Sequence, residues 1–296
     1  MKYNKTVLLN LLICIILGKF APAARAQSLS LSLTPPLTEV MIKPGKTVSQ
    51  TFTLINNGDD TLIKAEFKTL NENGNLSDQE EKIIPWLEIA SPSLVAEPFL
   101  FKKGEQLKLV VNIHPPADTP QQDYYQSLAF ITLPVAGRHT QSNISQILVS
   151  PILVSVTESG LPKSAKIAKF NFPLIIDSFD SLNIDLVLKN TGRAFFHING
   201  QLLLKGLIGR AKYPIIPRIH LSGQEREILL DSPQTKRISG FFLGKYSLIA
   251  DFALDEGSIK IVEEKVFFAL PWKLLVILTV IIIFSLAWNK YRTNPK

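Results

Sequence analysis

Four histidines, His114, His139, His197 and His220, are the side chains best suited to move a proton or hold a metal near neutral pH. None stands four residues from another, and none lies in a Glu-flanked zinc motif. No Gly-x-Ser-x-Gly elbow presents a nucleophile, and no glycine loop is placed to cradle a phosphate. Asp177, Asp180 and Asp185 in DSFDSLNID could bind calcium, but the glycine and distal glutamate of a calcium loop are missing, so a turn leading into a strand is expected. The single cysteine, Cys14, lies in an apolar run near the N-terminus. If that run is removed, disulfides, thiolate metal sites and cysteine catalysis go with it. The sequence therefore predicts no enzyme, no cofactor and no metal.

The residues suited to contact are aromatic, basic or in exposed loops. Tyr124 and Tyr125 follow Gln121-Gln122-Asp123; strand neighbours face opposite ways, so one ring belongs in a core and the other, taken as Tyr125, is a candidate for stacking on a glycan. Tyr246 in Gly244-Lys245-Tyr246 closes a turn as a tyrosine corner does, or meets a ligand at a strand edge. Lys205, Arg210, Lys212, Arg218 and His220 are interleaved with Tyr213, and Lys212 stands for an attraction to anionic polymer or headgroups. Outside a membrane this run does not predict nucleic acid. Asn73 represents the polar loop Asn71 to Asp78.

These residues are positioned by short strands with turn signals every roughly 8 to 12 residues, the grammar of a β-sandwich. Leu29, Leu31 and Leu33 alternate with serines until Thr34-Pro35-Pro36. Thr47 to Ile55, with Val48, Phe52 and Leu54 largely alternating, runs into Asn56-Asn57-Gly58-Asp59-Asp60, which reads as a hairpin. Ile184, Leu186 and Leu188 run into Asn190-Thr191-Gly192 in the same way, so Gly58 falls on Gly192 in a weak internal repeat. The expected fold is all-β, with two immunoglobulin-like sandwiches at 27–158 and 159–269. Residues 1–26, with Lys2, Lys5, an apolar run and Ala24-Arg25-Ala26, read as a signal peptide. Residues 270–288 hold one charge, Lys273, and read as a transmembrane helix, with Trp272 and Trp288 near its ends and Lys273 snorkelling at the interface. The tail 289–296 carries Lys290, Arg292 and Lys296, which places it in the cytoplasm and the sandwiches outside, in a single pass. The net charge of +7 is then not a property of the sandwiches. Residues 27–158 carry 9 basic and 14 acidic side chains, and the following stretch to the helix carries 15 and 11.

Ile42-Lys43-Pro44-Gly45-Lys46, Asn56-Asn57-Gly58-Asp59, Lys189-Asn190-Thr191-Gly192, Leu243-Gly244-Lys245-Tyr246-Ser247 and Leu270-Pro271-Trp272-Lys273, within this layout, resemble the WxL-interacting surface proteins of Gram-positive bacteria. The resemblance implies a membrane-anchored scaffold whose outer domain contacts peptidoglycan and whose inner domain holds a secreted surface protein. A second expectation is an assembly chaperone acting by β-strand donation. It requires an exposed edge, which Ile144, Gln146, Leu148 and Ser150 could supply, with Pro151 limiting the pairing.

Overall fold

The computed structural model describes residues 28–70, 76–77, 83–90, 97–133, 146–257 and 259–293. The predicted signal peptide, Asn73 and the tail 294–296 lie outside the described residues. Among the described residues the chain is all-β apart from a 3-10 turn at Asp255–Gly257 and one long C-terminal helix, and it builds two immunoglobulin-like sandwiches in tandem.

In the first sandwich one sheet runs β1 (Leu31–Thr34), β3 (Val48–Asn56), β8 (Gln106–Ile113) and β6 (Leu87–Ile89). The facing sheet runs β2 (Thr38–Ile42), β10 (Ile147–Val156), β9 (Asp123–Leu133), β4 (Thr61–Leu70) and β5 (Leu76–Ser77), with β7 (Phe99–Phe101) also against β4. The second sandwich repeats the plan. Its smaller sheet is β11 (Ala165–Asn171), β14 (Asp185–Asn190) and β18 (Glu225–Glu227). Its larger sheet is β12 (Ile175–Asp177), β21 (Ile259–Leu270), β20 (Gly244–Leu254), β15 (Phe196–Gly206) and β16 (Gly209–Pro214), with β17 (Arg218–His220) against β15. A short pair joins β13 (Leu182–Asn183) to β19 (Arg237–Ile238). In both units the chain starts in one sheet and crosses to the other, where it lies parallel to the last strand.

Alternation fills the cores. Phe52, Phe101, Leu109, Phe130 and Ile152 are buried in the first, and Phe170, Phe196, Leu248, Phe252 and Phe267 in the second. The two Asn-x-Gly turns differ from the expected hairpin. They join strands of opposite sheets, because each asparagine side chain is drawn inward rather than left at a tip. Asn56 Nδ2 donates to the carbonyls of Phe101 (3.0 Å) and Asp59 (2.9 Å), and its Oδ1 accepts from Gly58 N. Asn190 Nδ2 donates to the carbonyls of His220 (3.0 Å) and Ala194 (2.8 Å), and its Oδ1 accepts from Gly192 N. A Cβ on Gly58 would stand 2.2 Å from Ser28 O, and one on Gly192 would stand 2.6 Å from Ser164 N, so both glycines are required by the same close approach.

β21 continues through Leu270, and the helix α1 spans Trp272–Thr293, starting two residues later than expected and passing beyond Trp288. Its segment Trp272–Asn289 has a mean hydropathy of 2.0 and no burial, so it is long and apolar enough to cross a membrane. The acidic turn before β13 serves this junction. Asp177 Oδ1 accepts from Phe179 N, Asp177 Oδ2 accepts from Lys273 N (3.0 Å), and Lys273 Nζ pairs with Asp180. A carboxylate at a helix N-terminus satisfies an otherwise unpaired N–H and opposes the dipole. Asp185 pairs instead with Lys169.

Candidate functional site at the open half of a strand

β10 is covered on one side along its whole length and on the other along half. β9 pairs with it from Ile147 to Ser155, whereas β2 pairs only with Ile152 to Val156. Two local features stop β2 from reaching further. Pro151 offers no N–H toward β2, and Thr34-Pro35-Pro36 carries the chain across to β3's sheet. Ser150 Oγ donates to Pro35 O (2.8 Å) where the two strands part. On the side away from β9, Ile147 to Ser150 therefore form an edge that no described residue pairs.

The ladder phase says which groups that edge offers. Thr132 N donates to Gln146 O, so Gln146, Leu148 and Ser150 exchange bonds with β9. The N–H and C=O groups of Ile147 and Val149 point the other way. Thr157 N, in the same phase, donates to Ile42 O of β2, confirming the direction. Leu148 packs partly against the first core, and Ile147 is half exposed. Three of the four residues at this edge, Ile147, Leu148 and Val149, are apolar.

The corresponding strand of the second sandwich, β21, is covered by β12 only at Phe268, Ala269 and Leu270. Its uncovered length carries Lys260, Glu263, Glu264 and Lys265, charges that discourage pairing with another chain. Lys265 also closes the gap between sheets: its Nζ donates to Phe170 O (2.7 Å) and lies 5.6 Å from the Phe170 ring centroid. The uncovered part of β10 has no charged residue.

No family model matches the chain. No curated protein matches it either. Solved structures similar to it include the YadV chaperone, at 10% identity and a TM-score of 0.40, covering 80% of this chain and 99% of that one. A chain in the CsuC–CsuE chaperone–tip adhesion subunit pre-assembly complex of Acinetobacter baumannii is 15% identical, with a TM-score of 0.39 over 81% of this chain and 99% of that one. The E. coli chaperone DraB is 14% identical, with a TM-score of 0.34 over 81% and 96%. At these values the likeness does not identify what this chain binds.

The predicted contact residues are scattered. Tyr125 is not free for a sugar: its hydroxyl donates to Asp123 Oδ2 (3.1 Å) and accepts from Ser222 N of the second sandwich (2.9 Å). Burial, with Asp123 beside it, pushes its phenol well up. Asp123 also accepts from Ser155 Oγ and from Phe195 N, and burial raises its carboxyl above the usual range against these bonds. With His197 Nε2 against Glu39 Oε1 (2.8 Å) and Arg193 Nη2 donating to Gln121 O, these residues lock the two sandwiches together. A cavity of about 290 Å³ lies in this junction, lined by Glu39, Met41, Lys163, Phe195 and His197. Tyr246 is a core residue, stacked on Phe267 at 5.3 Å, with its hydroxyl accepting from Leu243 N three residues upstream. Tyr124 is partly buried; its hydroxyl donates to Pro120 O four residues upstream, and its ring meets Trp86 edge to face. Lys212 is exposed on β16. Trp272 and Trp288 project from α1, half exposed or more. Among the described residues no three His, Cys, Asp or Glu side chains converge as a metal site requires.

Proposed function

We propose that the chain is a membrane-tethered assembly chaperone or holder that binds an extended segment of another protein by strand addition to β10. The observation that carries this reading is the apolar, half-covered edge from Ile147 to Ser150 beside a charged and latched counterpart on β21. An incoming strand would bond to the outward N–H and C=O groups of Ile147 and the same two groups of Val149. Its alternate side chains would lie over Leu148 between the sheets. The locked junction holds the edge at a fixed place relative to the second sandwich, and α1 confines it to a surface, which raises its effective concentration toward surface-bound clients. The client is a secreted or surface protein, the class that the WxL resemblance also implies. Peptidoglycan is not carried as a second reading, because Tyr246 belongs to the core and Tyr125 to the junction.

Val149→Pro tests the reading at the backbone. Its N–H faces the open side, so β9 loses no bond, while an added strand loses a donor and meets the proline ring. Val262 of β21 also directs its N–H away from its partner, since Phe268 N in the same phase donates to Leu174 O. Clients retained by the full-length chain after mild solubilisation should be lost with Val149→Pro and kept with Val262→Pro. Retention by both variants would contradict strand addition at β10.

A further inference from the structure

We infer that the second sandwich rests on the bilayer through an apolar tip of its own, so that the membrane is contacted by loops as well as by α1. Four large apolar side chains are exposed at the end of the sandwich from which the helix leaves. They are Phe179 at 63% exposure, Leu207 at 79%, Ile208 at 52% and Phe241 at 49%. They come from three separate loops, yet the structure brings them together. The rings of Phe179 and Phe241 lie 5.2 Å apart, and Ile208 and Phe241 share one small cavity. The turn holding Leu207 is on the same level, since its Cδ2 would stand 3.7 Å from a Cβ on Gly244.

That level is the level of the helix start. Ser178 N donates to Leu270 O, Phe242 N donates to Ser178 O, and Asp177 accepts from Lys273 N. The tip is therefore within a few residues of Trp272, whose half-exposed ring marks the interface. β21 runs into α1 with only Pro271 between them, and the Asp177, Asp180 and Lys273 contacts fix the two elements to each other. A membrane crossed by α1 must lie against this end of the sandwich, which identifies the occupant of the apolar tip. Lys205 and Arg210 face each other across the β15–β16 hairpin, and Lys245 stands beside them on β20; all three are exposed. A basic rim around exposed Phe, Leu and Ile suits anionic headgroups above an acyl layer. The consequence is a sandwich held upright by two contacts rather than hung from one. This inference concerns the second sandwich and stands whether or not β10 binds a client.

The test uses the full-length chain in vesicles of mixed phosphatidylcholine and phosphatidylglycerol. An environment-sensitive dye is placed through Ile208→Cys or Phe241→Cys, with Lys108→Cys, exposed on β8 of the first sandwich, as the reference. At both tip sites the emission should shift to the blue, and spin-labelled lipid should remove most of it; the Lys108 dye should keep a water-like spectrum. Tip dyes as water-like as the reference would overturn the inference. Blue-shifted tip dyes that spin-labelled lipid fails to quench would place a second copy of the chain on the tip, and would overturn it too. Omitting phosphatidylglycerol should weaken the quenching, and unchanged quenching would remove the basic rim from the account.

Discussion

The last strands of the two sandwiches occupy one topological position and treat their exposed edges in opposite ways. β21 leaves a longer stretch uncovered than β10, yet it carries Lys260, Glu263, Glu264 and Lys265 there, and Lys265 bridges to Phe170. β10 leaves Ile147 to Ser150 uncovered with apolar neighbours and no charge. Both sandwiches faced the same hazard, since any unpaired row of N–H and C=O groups invites another chain. One removed it with charge and a side-chain latch. The other kept it at a position defined by Pro151 and the Pro35 crossover, and the proposed function makes that stretch a binding edge.

The comparison can be broken first where the two sandwiches are most alike. Asn56→Ala and Asn190→Ala each delete two donors and one acceptor inside a core, and each should cost about 3 kcal/mol. Melting of the full-length chain should show comparable losses for the two variants. A large cost in only one would mean that the two turns are not equivalent.

A second experiment uses the carbonyl that each asparagine holds. Asn56 bonds to the carbonyl of Phe101, and Asn190 to that of His220, so phenylalanine and histidine fill matching core positions. His220 is buried against Phe196, with ring centroids 5.5 Å apart and near-parallel planes. Burial, with Arg226 and Arg218 beside it, pushes its pKa down to about 4. Below the ordinary value of 6.5 the unfolded chain takes up a proton that the folded chain refuses until about 4. Stability is thus complete above 6.5 and falls with pH between these values, by up to about 3 kcal/mol. The second sandwich should lose stability in this window, and His220→Phe, which copies the first sandwich, should flatten that part of the profile in denaturant titrations. An unchanged slope in the variant would place the acid sensitivity elsewhere.

The smallest effect concerns the latch. Lys265→Ala should cost about 2 kcal/mol, the net worth of a charge-assisted bond with its ring contact. Combined with Glu264→Val it should make β21 resemble β10, and the double variant should self-associate more than the parent chain in sedimentation. A monodisperse double variant would show that charge and latch are not what separates the two edges.

Much of this was legible in the sequence. Alternating Leu186, Leu188 and their counterparts marked strands, and the repeat of Asn56-x-Gly58 in Asn190-x-Gly192 marked two related units, because a buried asparagine and a close-packed glycine leave a local trace. The direction of those turns was not legible. A hairpin and a crossing between sheets use the same residues, and only the distant carbonyls of Phe101 and His220 decide between them. The Ile144 to Ser150 stretch stood out as a candidate edge, but its limit is set by a parallel partner more than a hundred residues upstream, through Ser150 and Pro35; Ile144 itself lies outside the described residues. Tyr125 was misread as a free ring because its acceptance of Ser222 N belongs to the other sandwich. The acids of DSFDSLNID carried no sign that Asp177 would cap a helix starting 95 residues later.

The central claim is that β10, and not β21, takes up a segment of another protein. It is tested most directly by placing a photocrosslinking side chain at Val149 or at Val262 in the full-length chain within its own cells. The account predicts a discrete crosslinked secreted or surface protein at Val149 and none at Val262. Equal crosslinking at both positions, or at neither, would contradict it.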